Sequence, residues 1–378
     1  MTWAVITGEY PPQPGGVADY TRLVARGLAK EGAEVHVWAP ATDGEPCDDP
    51  GVSVHRLPGH FGPEALRRLD TDLNRLPSLR RILVQYVPHA FGSKAMNVPF
   101  CLWLESRRRD SIWSMFHEVA FPRGRNQPLR HQVLGAITGY MAKLAARASE
   151  RIFFSTTAWL PLLDGFAPAT QKTWLPVPSN VAETADPEAV AAIQARISKS
   201  VGPNVIGHFG TYAPQYQEFL MDLFARVLQP PGAGVGLFAG RGSTQFRSRF
   251  AGRMPALADR VHAIETDCAD TLAAHLAACD VLVQPYPDGV TTRRASLMAS
   301  LALGKAIVTT RGRLTESLWE ESGAVALTPA MESEAMASTA MELAKSTSRR
   351  TDLGFRAAAL YANRFALRHT VRELLSQA

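Results

Sequence analysis

The chain has 378 residues, 46% of them hydrophobic and 20% charged, with a net charge of +5. That balance excludes an intrinsically disordered chain, and the length points to two domains of comparable size. The charge is too mild for a nucleic-acid binder, and no uncharged apolar run reaches the roughly 18 residues of a membrane-spanning helix. Strand Trp3–Thr7 comes first. The loop from Gly8 to Gly16 (GEYPPQPGG) follows, then a helix from Val17 to Lys30 whose Val17, Tyr20, Leu23, Val24 and Leu28 share one stripe. Met1 runs straight into the first strand, leaving no room for a secretory leader. The four cysteines, Cys47, Cys101, Cys268 and Cys279, show no metal-ligand spacing, so a reducing, cytoplasmic setting is expected.

Further strands are predicted at Glu34–Ala39, Val52–Leu57, Ile82–Tyr86, Ile112–Phe116 and Ile152–Ser155. Strands alternating with helices predict a parallel, doubly wound α/β sheet. Up to residue 180 there are 20 Lys+Arg against 16 Asp+Glu, then 20 against 19, so the excess lies in the first half. Arg107, Arg108, Arg109, Arg123, Arg125 and Arg130 form its densest run. It reads either as a solvated face or as a surface for an anionic membrane or a phosphate-bearing acceptor. The polar, proline-containing stretch 176–192 marks a linker.

The pattern then restarts. Strands are predicted at Val205–Phe209, Val235–Ala239 and Val261–Ile264, with helices at Tyr216–Leu228 and Thr271–Ala278. Gly240-Arg241-Gly242-Ser243 lacks the third glycine of a dinucleotide fingerprint, and no P-loop, zinc-protease or nucleophile-elbow motif is present. The segment Asp280–Thr310 (DVLVQPYPDGVTTRRASLMASLALGKAIVTT) reads strand, turn, helix, strand. Thr291 and Thr292 stand where an N-cap belongs, Arg293 and Arg294 in the first helical turn, and Gly304 at the stop. Unpaired amides, the positive end of the helix dipole and two guanidinium groups make that point an anion site.

The order proline-rich turn, acidic residue, helix and Gly-Lys-Ala-Ile-Val-Thr-Thr resembles the donor-binding signature of retaining, nucleotide-sugar-dependent glycosyltransferases of the GT-B type. The resemblance spans the chain, from Gly15-Gly16 to Tyr361-Ala362-Asn363-Arg364-Phe365. It implies two Rossmann-like domains facing each other across a cleft: 1–180 on the acceptor side, 181–355 on the donor side, and a helix at 356–378 crossing back. Implied too are a nucleotide diphosphate-sugar co-substrate, no other cofactor and no metal. The acceptor is left open as a glycan, a lipid-linked group or a small molecule, reached through a peripheral membrane contact of the basic first half.

The resemblance assigns catalytic roles to Asp288 and His117, and donor or phosphate contacts to Gly15, Gly16, Arg241, Thr291, Thr292, Arg293, Arg294 and Ser296. It places Glu118, Tyr86, His89, Ser179 and Asn180 along the cleft. Residue type alone leaves simpler readings open: Gly15-Gly16 as a tight turn, His117 as a structural histidine, and Ser179-Asn180 as a polar turn after two prolines. The chain departs from the family in carrying Asp288 and Ser296 where relatives have two glutamates. It also has Gly207-His208-Phe209-Gly210-Thr211-Tyr212 where they have an arginine and a lysine. Two readings from other classes remain: a nucleotide-sugar epimerase on the same plan, and a binding protein without chemistry.

Overall fold

The computed structural model describes residues 1–378 except 45–47, 125–126, 199–203, 231–233 and 377–378. Cys47 and Arg125 lie outside the described residues. The chain divides into two compact units. Unit 1 is Met1–Val177 with Leu367–Ala378, and unit 2 is Pro178–Ala366.

Unit 1 runs β1 (Thr2–Thr7), α1 (Gly16–Lys30), β2 (Glu34–Pro40), β3 (Val52–Leu57), α2 (Pro63–Arg75), β4 (Arg80–Tyr86) and α3 (Val98–Ser106). It continues with β5 (Ser111–Phe116), α4 (Leu129–Ala148), β6 (Arg151–Phe154), α5 (Leu160–Phe166) and β7 (Gln171–Trp174). All seven strands are parallel, in the order β3-β2-β1-β4-β5-β6-β7. The strands are near-continuous apolar runs because helices cover both faces of such a sheet. Ala4, Ile6, Ile82, Val84, Ile112 and Phe116 pack on Leu69, Leu73, Phe100, Leu104 and Met141 of the helices.

Unit 2 runs α6 (Pro187–Ser198), β8 (Val205–Phe209), α7 (Pro214–Leu228), β9 (Val235–Ala239), α8 (Ser243–Arg253), β10 (Val261–Ile264) and α9 (Ala269–Ala277). Then come β11 (Val281–Gln284), α10 (Ala295–Ala302), β12 (Ala306–Arg311), α11 (Leu318–Ser322), β13 (Ala326–Pro329), α12 (Ser333–Lys345) and α13 (Thr347–Arg364). Its six strands are parallel too, in the order β10-β9-β8-β11-β12-β13. The last helix, α14 (Leu367–Ser376), packs on α1 and belongs to unit 1. The return to unit 1 therefore starts at Leu367, not at 356, since α13 packs on α10 and β12. The stretch 176–192 is not wholly a linker, because α6 begins inside it at Pro187, a favourable first helical residue. Among the described residues no helix is long and apolar enough to cross a membrane.

Candidate functional site

In an open parallel sheet, ligands settle beyond the carboxyl ends of the strands, where the strand order reverses. That point lies between β8 and β11 in unit 2, and between β1 and β4 in unit 1. Asp288 and residues 291–296 follow β11, and Gly15 and Gly16 follow β1.

The loop after β11 is built against the loop after β12. Tyr286 N donates to Thr310 Oγ1 (2.8 Å), Val290 N to Thr310 O (2.9 Å) and Leu314 N to Asp288 O (2.8 Å). Gly289 has φ of +90°, and a Cβ there would stand 2.1 Å from Thr315 Oγ1, so glycine is required. The deepest tie is made by Glu316, which is 6% exposed. Its Oε2 accepts from Thr292 N (2.6 Å) and Trp319 Nε1 (3.2 Å), and its Oε1 from Thr292 Oγ1 (2.7 Å).

This clasp corrects the expected helix start. Thr292, read as a cap or phosphate ligand, gives both its amide and its hydroxyl to Glu316. α10 begins at Ala295 with Arg294 as its N-cap, so Arg293 and Arg294 precede the first turn and do not sit within it. No side chain caps the helix, and its first amides lack intrahelical acceptors. Thr291 is fully buried, with no partner for Oγ1.

The Arg294 guanidinium lies 4.8 Å from the Tyr286 ring centre, and its Nε is buried without a hydrogen-bond partner. Burial first, and repulsion from Arg293 second, hold its pKa below the ordinary guanidinium value. Ser296 Oγ meets the Tyr286 hydroxyl at 2.9 Å. The Ser296 side chain, expected to contact the donor, here steadies the ring on which Arg294 lies. Asp288 forms an ion pair with Arg313, Nε to Oδ1 2.9 Å, with both groups well exposed. Such a pair is worth about 0–1 kcal/mol and leaves Oδ2 for another donor.

On the other side of the reversal, His208 closes β8. It is buried, and its Nδ1 donates to Val283 O at 2.9 Å, which leaves Nε2 as an acceptor beside Gly210. Burial pushes its pKa down to about 4. Arg241 is exposed on the next loop, between Gly240 (φ +102°) and Gly242 (φ +82°). A Cβ on Gly240 would meet Gly210 O at 2.4 Å, so the loops after β8 and β9 touch backbone to backbone. Gly242 N, at the start of α8, donates to Glu265 Oε1 (2.9 Å).

Unit 1 holds the remaining candidates. Glu9 Oε1 accepts from Val17 N (3.0 Å) and Ala18 N (3.1 Å) and so caps α1. A Cβ on Gly15 would stand 2.2 Å from that oxygen, while Gly16 has open space. Neither glycine has positive φ. At the helix start where a phosphate was expected near Gly15-Gly16, a carboxylate takes the Val17 and Ala18 amides, and Gly15 makes room for it. His117 is buried after β5, with Nε2 2.9 Å from Gln85 Oε1 and its ring edge-on to Tyr20. Glu118 and His89 pair at 3.6 Å on the surface, and the hydrogen bond to Glu118 raises the His89 pKa. Tyr86 is a correction. It is fully buried in the aromatic core against Phe91 and Phe116, where an acceptor has no access. Ser179 belongs to unit 2. Its Oγ bonds within its own turn, donating to Val181 O (2.8 Å) and accepting from Val181 N (3.0 Å), and its amide donates to the Tyr361 hydroxyl (3.2 Å). Asn180 follows it in the same turn.

Among the described residues no group of three His, Cys, Asp or Glu side chains has a metal-binding arrangement. Asp70-Thr71-Asp72 has an Asp-x-Asp spacing but lies inside α2, where residues two apart face different ways. Asp70 pairs with Arg107 (2.6 Å), and Asp72 accepts from Trp38 Nε1 (3.5 Å).

Two family models match the chain: a glycosyl transferase 4-like domain over residues 15–163 and glycosyl transferases group 1 over residues 203–346. The chain belongs to the GT-B glycosyltransferases. No curated protein sequence matches this glycosyltransferase. Among solved structures, Anabaena HepE in complex with UDP is 16% identical with a TM-score of 0.72, covering 100% of this chain and 99% of that one. HepE in complex with UDP-glucose gives 16% and 0.71, with 100% of both chains covered. Sucrose-phosphate synthase from Thermosynechococcus elongatus gives 15% and 0.76, again with 100% of both. At these identities the likeness is one of fold.

Glu316, Glu9 and His208 escaped the sequence reading. All three sit at or just beyond the carboxyl end of a core strand, a positional signal that could have found them. Their chemistry can be tested separately from transfer. A histidine with pKa about 4 when folded and 6.5 when unfolded refuses a proton that the unfolded chain accepts. Its contribution is intact above pH 6.5 and falls away toward pH 4, by roughly 3 kcal/mol. Denaturant unfolding from pH 7 to 4 should show His208→Asn, which keeps a donor for Val283 O, losing less stability than wild type. Parallel losses would mean that His208 titrates normally. At α1, Gly15→Ala should destabilise wild type by about 1–2 kcal/mol by displacing the carboxylate cap, and should cost far less in a Glu9→Ala background. Equal costs in both backgrounds would remove Glu9 from the explanation.

Proposed function

We propose that the protein transfers a sugar from a nucleotide diphosphate-sugar to an acceptor, with the diphosphate held at residues 291–296. One observation carries this reading: Arg293 and Arg294 stand immediately ahead of an uncapped helix N-terminus, at the strand-order reversal of unit 2. Two cations and unpaired amides form an anion site, and the unpartnered Thr291 hydroxyl supplies one more donor. The UDP and UDP-glucose complexes of HepE support a uridine nucleotide as first probe.

In the proposed reaction the bond from the sugar's anomeric carbon to the diphosphate breaks as negative charge builds beside the arginines. Asp288 Oδ2 steadies the positive sugar that remains. The acceptor hydroxyl adds on the same face, with retention, and its proton passes to the departing phosphate. No metal is required in this scheme. Free thiols at Cys101, Cys268 and Cys279 support a cytoplasmic location. α4 supports a peripheral membrane contact. Leu129 (79% exposed), Val133 and Tyr140 form an outward apolar stripe on a helix with three cations and no acidic residue. Sedimentation with anionic vesicles should drop on Tyr140→Asp, and unchanged sedimentation would exclude α4.

Two substitutions test the site. Calorimetry should show Arg294→Ala weakening UDP by roughly 1.5–3 kcal/mol, and Arg293→Ala by less. Full affinity in the double variant would place the phosphates elsewhere. Asp288→Asn should keep donor affinity yet lower single-turnover transfer at least about a hundredfold. Turnover within a few-fold of wild type would reduce Asp288 to a turn residue paired with Arg313, and binding without turnover in wild type would favour a binding protein.

A further inference from the structure

Where α1 and α14 cross, Gly27 and Val371 meet so closely that a Cβ on Gly27 would stand 2.6 Å from Val371 Cγ2. Beside that crossing lies a cavity of about 630 Å³ within unit 1. This volume falls within the range of small-molecule pockets, roughly 300–1,000 Å³. Its floor is apolar. Leu367, Val371 and Leu375 recur every four residues along α14, on one helical face. Its rim is cationic, with Lys30 from the last turn of α1 and Arg368 and Arg372 one turn apart on α14, against a single carboxylate, Glu31.

Among the described residues neither Lys30 nor Arg372 makes an ion pair. The cavity is separate from the loops treated above. It adjoins the C-terminal end of α1, a 15-residue helix about 22 Å long, whereas Gly15 and Glu9 lie at the other end.

We propose that this groove binds a single-chain anionic amphiphile. A phosphate or carboxylate head is met by Lys30, Arg368 and Arg372, and an aliphatic tail lies along Leu367, Val371 and Leu375. Long basic side chains suit such a rim because their stems extend the apolar wall while their heads stay in water. A purely anionic ligand would leave the floor unused, and a neutral chain would leave Lys30 and Arg372 unmet.

The test is calorimetric titration of the full chain with three probes below their micelle concentrations: dodecyl phosphate, inorganic phosphate and dodecyl maltoside. Dodecyl phosphate should bind one to one, at least about tenfold tighter than either other probe, and UDP should not displace it. Lys30→Gln with Arg372→Gln should weaken it about tenfold or more. Leu375→Trp, which fills the groove from a half-buried position, should abolish it while leaving the unfolding midpoint and UDP affinity unchanged. Dodecyl phosphate binding no tighter than inorganic phosphate, displacement by UDP, or full affinity in the folded variants would overturn the proposal. Because UDP binding is read on the same samples, failure of the groove and failure of the donor site are distinguishable.

Discussion

Thr292 and Glu316 face each other in the interior of unit 2, where both are shielded from water, and the order of the loop after β11 depends on their contact. Two hydrogen bonds from one residue to one buried carboxylate are charge-assisted, each worth roughly 1.5–3 kcal/mol. The clasp fixes Thr292, and Arg293 and Arg294 follow directly in the chain, so their backbone leaves from a defined point. The Tyr286 ring, held through Ser296, then supports the Arg294 guanidinium.

Among the helix starts that lie beyond the carboxyl ends of strands, those of α1, α8 and α10 are treated differently. α1 is capped by Glu9, and the start of α8 is served by Glu265. Both carry their own anion, which lowers their appeal to a phosphate. α10 has no side-chain cap and is preceded by two cations, an arrangement that disfavours the helix dipole until an anion arrives. The chain's internal carboxylates therefore leave α10 as the anion-seeking member of the three.

The inner strands of both sheets were legible in the sequence because buried parallel strands read as short apolar runs between amphipathic helices, whereas the edge strands β7 and β13, only partly buried, were not predicted. β3, β8, β9 and β10 match their predicted bounds. Gly304 ends α10 with φ of +59°, as its position implied. What stayed hidden depends on tertiary contacts. Gly15 looked like a phosphate turn because nothing local says that Glu9 folds back onto helix amides eight and nine residues later in the chain. Tyr86 was placed along the cleft by the resemblance of its segment to the family, yet Phe91 and Phe116 close over it. Thr292 looked like a cap because its clasping carboxylate lies 24 residues away, beyond the next strand.

The most direct measurement is calorimetric titration of UDP into Glu316→Met, alone and combined with Arg294→Ala, at a temperature where circular dichroism shows native fold. A methionine keeps roughly the side-chain length and volume but has neither carboxylate oxygen, so the amide and hydroxyl of Thr292 both lose their acceptor and the clasp opens. If the clasp positions the arginines for the diphosphate, Glu316→Met weakens UDP at least about tenfold, and Arg294→Ala then adds less than it does in wild type. Unchanged UDP affinity in the folded Glu316→Met protein would contradict the account.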